Sequence, residues 1–350
     1  MNGRVSILVL VAACGGGATR VAPTVLPPVT QEEHDSRSDL VRDLEATALE
    51  NYSHVSLGNY DAYLDSISPS ADLALIGLGA GDVAFGRGVG PTWVKRRPFY
   101  GRSGVRLVSK NLVVQLSTDQ QVGWIFDEVS YRVPHDIRLS DGVVIQRDAS
   151  IPIRVTAAFV RDVDRWVLVM EELSYALSPA EVIDLARGRV LRTPSKLPPE
   201  GQIEERSADA IAAVVQRFHE RGTNRLGALA DDPRTLVVWP DPNGEYRGDT
   251  LQKLPRLASL FGGGRVSISS SRVSEPIGKV AWMVANLRVI VGDGADRVVI
   301  PMRGLYLLEA SGDDEHLRWR IVQAHVSVPL SQPLLERRIF GQPTPDDGAH

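Results

Sequence analysis

The chain has 350 residues, comfortable for two domains of ordinary size and long for a single core. It is 43% hydrophobic and 23% charged, the make-up of a globular protein. With 39 basic against 43 acidic residues the net charge is −4, which gives no electrostatic reason to expect nucleic acid; the basic runs at 95–97 and 337–338 are short and read as solvated surface charge.

Residues 5–13 are apolar or small apart from Ser6, follow Arg4, and lead into Val11-Ala12-Ala13-Cys14. The run is too short to span a bilayer as a helix, which takes about 20 residues. Small residues before a cysteine resemble a bacterial lipoprotein signal. The resemblance implies cleavage before Cys14, a lipid on that residue, and a protein anchored in the bacterial cell envelope. Cys14 is the only cysteine, so no internal disulfide forms. Residues 15–37, with Pro23, Pro27 and Pro28, read as a flexible tether.

From Ser38 the apolar positions Leu40, Val41, Leu44, Ala48 and Leu49 share a helical face, and Gly58-Asn59 stops that helix. A short helix over 60–67 follows. A strand is expected over 72–78, then a glycine turn into Val83-Ala84-Phe85 and an irregular helix over 91–100. Four long strands are expected at 105–115, 122–133, 151–160 and 165–177. A helix at 180–186 leads into a linker marked by Pro194, Pro198 and Pro199.

The second half repeats the plan. Ser207 is the expected N-cap of a helix, 235–239 a short strand, 251–261 a helix, and 266–274 and 280–291 long strands. Ile300-Pro301-Met302-Arg303 matches Ile151-Pro152-Ile153-Arg154. The closing strands align best: 165–178 reads RWVLVMEELSYALS and 318–331 reads RWRIVQAHVSVPLS. An offset of 153 places Trp166 on Trp319, Ser174 on Ser327 and Leu177 on Leu330. The chain thus divides into a signal (1–14), a tether (15–37), a first domain (38–178), a helix and linker (179–206), a second domain (207–331) and a disordered tail (332–350).

This order of elements, with a Trp-led closing strand ending in Ser, resembles the SnoaL-like branch of the nuclear-transport-factor-2-like superfamily. The resemblance implies an α+β fold of two tandem cone-shaped half-barrels, each a curved antiparallel sheet around N-terminal helices, with an apolar pocket on the concave side. In that branch a His often stands two places before the closing Ser; His325 fits, and Glu172 departs from it.

At period two, Trp166, Leu168, Met170, Glu172 and Ser174 share one face, as do Trp319, Ile321, Gln323, His325 and Ser327. If that face lines a pocket, Glu172 is a candidate general base, with Tyr131 and Asp127 as partners. His325, Trp166, Trp319, Arg154 and Arg303 are candidate ligand contacts. Each also has a structural reading: Glu172 and His325 as hydrogen-bonded strand residues at a sheet interface, the tryptophans as core, the arginines as ion-paired. The seven histidines lack metal-ligand spacing, so no metal and no cofactor is expected. The expected function is a membrane-tethered, non-enzymatic protein binding a small apolar molecule or a protein partner. The alternative is an acid/base enzyme of isomerase, cyclase or dehydratase type, its pocket in the first domain.

Overall fold

The computed structural model describes residues 31–138, 144–198, 203–312, 317–330 and 334. The expected signal with Cys14 and most of the expected tail lie outside them. No helix among the described residues is long and apolar enough to cross a membrane.

Helices α1 (Gln31–Leu57), α2 (Tyr60–Asp65) and α3 (Gly90–Val94) belong to the first half, with strands β1 (Ala74–Ile76), β2 (Val83–Phe85), β3 (Arg106–Ser109), β4 (Val113–Leu116), β5 (Val122–Arg138), β6 (Val144–Asp162) and β7 (Arg165–Ser174). Helix α4 (Pro179–Arg187) leads to the second half: α5 (Glu205–His219), β8 (Leu236–Val238), β9 (Glu245–Arg247), β10 (Arg265–Val273), β11 (Val280–Val291), β12 (Val298–Ser311) and β13 (Arg318–Ser327).

The protein is α+β, with two curved, open sheets. The first runs β2-β1-β7-β6-β5-β3, with β4 also on β5; the second runs β9-β8-β13-β12-β11-β10. Element by element, the two orders are the same. In both, the short strand after the helices is parallel to the closing strand (Ile76 opposite Glu172, Val238 opposite His325) and the long strands are antiparallel.

Several sequence expectations are corrected. Helix α1 starts at Gln31, so 31–37 is not tether: Gln, Glu and Arg there favour helix without marking a face. The strand expected at 105–115 is broken into β3 and β4. Strands β5 and β6 run far past their expected ends, into the polar stretch read as loop, because pairing with each other satisfies their backbone groups. In the second half Glu204, not Ser207, precedes the first turn of α5. The helix expected at 251–261 is two 3-10 turns, Gly248–Lys253 and Leu257–Phe261, parted by Pro255, which has no N–H to continue a helix.

The sheets pack face to face. Trp124, Val169, Met170, Trp282, Leu305, Leu307 and Val322 form one apolar cluster between them, joined by Leu197 of the linker. Each such buried side chain stabilises the packing by about 1.5–3 kcal/mol. The opposite faces carry separate cores: Leu44, Tyr63, Trp93, Ile125 and Trp166 under α1 in the first half, and Ile211, Val215, Phe218, Trp239 and Trp319 under α5 in the second.

A bulge sits at the same place in both closing strands. Phe159 opposes Leu168 but Ala158 opposes Met170, leaving Val169 as the extra residue. Leu308 opposes Ile321 but Leu307 opposes Gln323, leaving Val322. One extra residue inverts the alternation beyond it. Trp166 and Leu168 therefore face the first core, while Met170, Glu172 and Ser174 face the other sheet. The single face expected from strict alternation is two faces.

Candidate functional site

Two buried polar assemblies hold the residues with chemistry to offer. One lies between the sheets, the other inside the first half.

Between the sheets, contacts occur in pairs related by the repeat. Ser327 Oγ donates to Glu172 Oε1 at 2.7 Å, and Ser174 Oγ lies 2.7 Å from His325 Nε2. Each closing Ser thus meets the residue two places before the Ser of the other copy. Arg154 donates to the carbonyls of Trp239, Asp241 and Pro242, at 2.8–2.9 Å. Arg303 donates to those of Gly79 and Ala80, the corresponding loop of the first half, at 3.5 and 3.0 Å. The backbone repeats the exchange: Leu177 N donates to Pro240 O and Leu330 N to Leu78 O.

Burial in this layer sets the protonation states. It pushes the Glu172 carboxyl up to about 8, against the opposing pull of Ser327 and Arg303. His325 is held down to about 3 by burial and then by Arg154. Its imidazole is therefore neutral, one ring nitrogen meeting Ser174 and the other Thr156 Oγ1 at 2.9 Å. Arg303, with burial opposing its charge, is lowered to about 10.

Inside the first half, below α1 and α2, Arg97 Nη1 donates to Glu171 Oε2 at 2.5 Å and to the Tyr63 hydroxyl at 2.7 Å. Tyr63 donates to the same Glu171 oxygen at 3.0 Å, and the Tyr131 hydroxyl lies 3.5 Å from Arg97 Nη2. Asp127 continues the cluster, its Oδ1 accepting from the Asn111 N–H at 3.0 Å and its carboxylate lying against Tyr52. None of these six side chains is more than 6% exposed. Burial raises the Asp127 carboxyl above the usual carboxylate range. Burial opposes the Arg97 charge, but Glu171 and the tyrosines outweigh it and hold the guanidinium protonated.

Asp127 and Tyr131 share the inner face of β5 and belong to this cluster. Glu172 points through the sheet the other way, so the structure does not bring the three expected catalytic residues together. The inward carboxylate is its neighbour Glu171. Arg154, Arg303 and His325 belong to the inter-sheet layer, and Trp166 and Trp319 are 4% and 5% exposed in the two cores.

Sequence reading missed Arg97, Glu171, Tyr52 and Tyr63. Arg97 sits in a basic run expected to be solvated, yet it is 2% exposed. The adjacent Glu171-Glu172 pair was the available signal, since neighbours on a strand face opposite ways; the bulge decides which faces inward. Among the described residues no group of His, Cys, Asp and Glu could hold a metal ion.

The second core has no such cluster. The positions matching Glu171, Asp127 and Tyr131 are Ala324, Ala285 and Val289, all fully buried. Among the described residues its inward polar contacts include His219 Nε2 to the Tyr306 hydroxyl at 2.6 Å and Trp239 Nε1 donating to the Pro255 carbonyl at 3.1 Å, with His219 held to about 3 by burial and then by Arg225.

Residues 208–331 match the family described as SnoaL-like domain. A comparison with curated proteins gives no match. Solved structures similar to the chain include a proposed scytalone dehydratase from Novosphingobium aromaticivorans, at 12% identity, covering 41% of this chain and 89% of the other with a TM-score of 0.33. A proposed dehydratase of the NTF2-like family from Streptomyces avermitilis gives 14%, 40%, 98% and 0.32 in the same order. The association domain of CaMKII from C. elegans gives 14%, 41%, 99% and 0.28.

Proposed function

We propose that the chain, whose residues 208–331 form a SnoaL-like domain, is a non-enzymatic binding protein of two such domains, the first a diverged copy spanning 38–178. In this reading the lipid on Cys14 anchors it in the cell envelope, and the first domain takes a small, largely apolar molecule on its concave side. The observation that carries the non-enzymatic reading is the direction of Glu172: it is tied to Ser327 of the other sheet, away from Asp127 and Tyr131. The choice of the first domain rests on its interior. Arg97, Tyr131 and Tyr52 offer polar anchoring points beside the apolar walls of Phe99, Val129, Ile151 and Leu173. The second interior, packed with Phe218, Trp239 and Trp319, has Ala285, Val289 and Ala324 at the positions matching Asp127, Tyr131 and Glu171.

Native mass spectrometry of the full chain purified from its envelope fraction tests the reading. A bound small molecule is expected in the wild type and absent in Val129→Phe, which adds bulk to the first interior. A ligand-free wild type, or a ligand retained by that variant, contradicts it. Cys14→Ser is expected to release the protein from membranes; unchanged fractionation removes the anchor.

One observation favours the alternative, an isomerase-, cyclase- or dehydratase-type enzyme in the same interior. Asp127, with its raised pKa, lies against Tyr52 and in one cluster with Tyr131, an acid/base pairing that does not need Glu172. Turnover of the captured molecule by wild type, abolished in Asp127→Asn, would select it.

A further inference from the structure

A second feature lies at the far end of the second sheet, outside both assemblies. There a cleft of about 580 Å3 is walled by two glycine-rich loops, Gly262-Gly263-Gly264 before β10 and Gly292-Asp293-Gly294 after β11. Three arginines line it: Arg221 at the end of α5, Arg265 at the start of β10, and Arg297 before β12. The facing acid is Asp293, with Asp296 following in the same loop.

Arg221 is steadied by a hydrogen bond from Nη2 to the Gly264 carbonyl at 3.1 Å. Arg265 and Arg297 have no side-chain partner among the described residues, and both are exposed. Three arginines line one cleft in a chain whose net charge is −4. A cleft lined by one sign of charge concentrates ions of the other sign. The loop glycines at 262, 263 and 294 have positive φ and open space where a side chain would stand, so the cleft stays clear there. Guanidinium forks match the oxygen spacing of phosphate.

We propose that this cleft binds a phosphate group through Arg221, Arg265 and Arg297. Its volume, within the roughly 300–1,000 Å3 usual for small-ligand sites, leaves room for a small phosphorylated molecule rather than a bare ion. The proposal is independent of the ligand assigned to the first domain.

The test uses the full chain as Cys14→Ser, which carries no lipid, with inorganic phosphate as probe in calorimetry at low salt. Saturable binding is expected, weakened at least tenfold in Arg265→Ala and in Arg297→Ala, and partly restored by Lys at either position. Both arginines are exposed, so unchanged thermal melting is expected to confirm folding of the variants. Co-sedimentation with vesicles of phosphatidylglycerol against phosphatidylcholine then separates the sources. Vesicle binding lost in the two variants and displaced by phosphate indicates a lipid headgroup; phosphate binding without vesicle binding indicates a soluble phosphorylated ligand. No phosphate binding at 10-millimolar order, or binding unchanged in the double variant, overturns the proposal.

Discussion

The two halves share a skeleton and differ in what they bury. Both have the same strand order, the same parallel closing pair and the same bulge before the last five residues of the closing strand. Yet the first interior buries an arginine, two carboxylates and three tyrosines where the second packs Ala324, Ala285 and Val289. Burying charge costs several kcal/mol per ion before pairing offsets it, and apolar replacements of similar size often fold as well or better. The second half is an internal example of that replacement. The polar cluster of the first half is therefore not a requirement of the fold, which is why it is the better place to look for function.

The sharpest way to test this difference is to make the first interior resemble the second. Glu171→Ala alone leaves Arg97 charged, buried and unpaired, and is expected to cost about 3–5 kcal/mol in denaturant unfolding. Adding Arg97→Met is expected to recover most of that loss. A double variant as unstable as the single would mean that the cluster is structural after all.

The next largest effect concerns the layer the halves share. Arg303, fully buried, holds the Gly79 and Ala80 carbonyls, whereas Arg154 is 5% exposed and has Glu128 at 3.9 Å as well. Arg303→Ala is expected to cost about 2–3 kcal/mol and Arg154→Ala somewhat less, because each leaves buried carbonyls unpaired. Equal unfolding midpoints for wild type and Arg303→Ala would remove the clamp.

The shared layer also sets a pH window. Glu172 has its folded pKa raised to about 8, so the folded state prefers the neutral carboxyl. Its contribution is present at low pH and lost as pH rises from the ordinary carboxylate range through about 8. His325 is lowered to about 3, so its contribution is lost as pH falls from its ordinary value towards 3. Glu172→Gln is therefore expected to remove the fall in stability between the ordinary carboxylate range and about pH 8, and to leave unchanged the loss below that range, where of the two only His325 contributes. The same fall across that window in Glu172→Gln would contradict the assignment.

The smallest effect expected is at Ser174. Its hydroxyl meets His325, whose other ring nitrogen already meets Thr156, so Ser174→Ala is expected to cost about 1 kcal/mol. A cost several times larger would make the layer far less symmetric than the paired contacts imply.

Much of the skeleton was legible in the sequence because it rests on periodicity and punctuation. The match of 165–178 with 318–331 located both closing strands, and Gly58-Asn59 ended α1. The site was less legible for one local reason. Alternation carried past Val169 puts Glu172 beside Trp166, and the single inserted residue puts Glu171 there instead. Nothing in MEEL marks the insertion, since Leu, Val and Met fit either face. Arg97 was hidden in the same way: its run of three cations looks like surface, and only the position of Glu171 across the interior explains its burial. Asp127 and Tyr131 were named only as partners of Glu172, because β5 mixes apolar and polar residues on both faces; the structure sets them in the cluster of Arg97 and Glu171 instead.

The central claim is that Glu172 works between the sheets and not in a pocket. A double-mutant cycle on Glu172→Ala and Ser327→Ala at neutral pH tests it directly, because the two residues belong to different sheets. The account predicts a coupling of about 1–2 kcal/mol across the repeat. Costs that simply add, within about 0.3 kcal/mol, would contradict it and reopen Glu172 as a base.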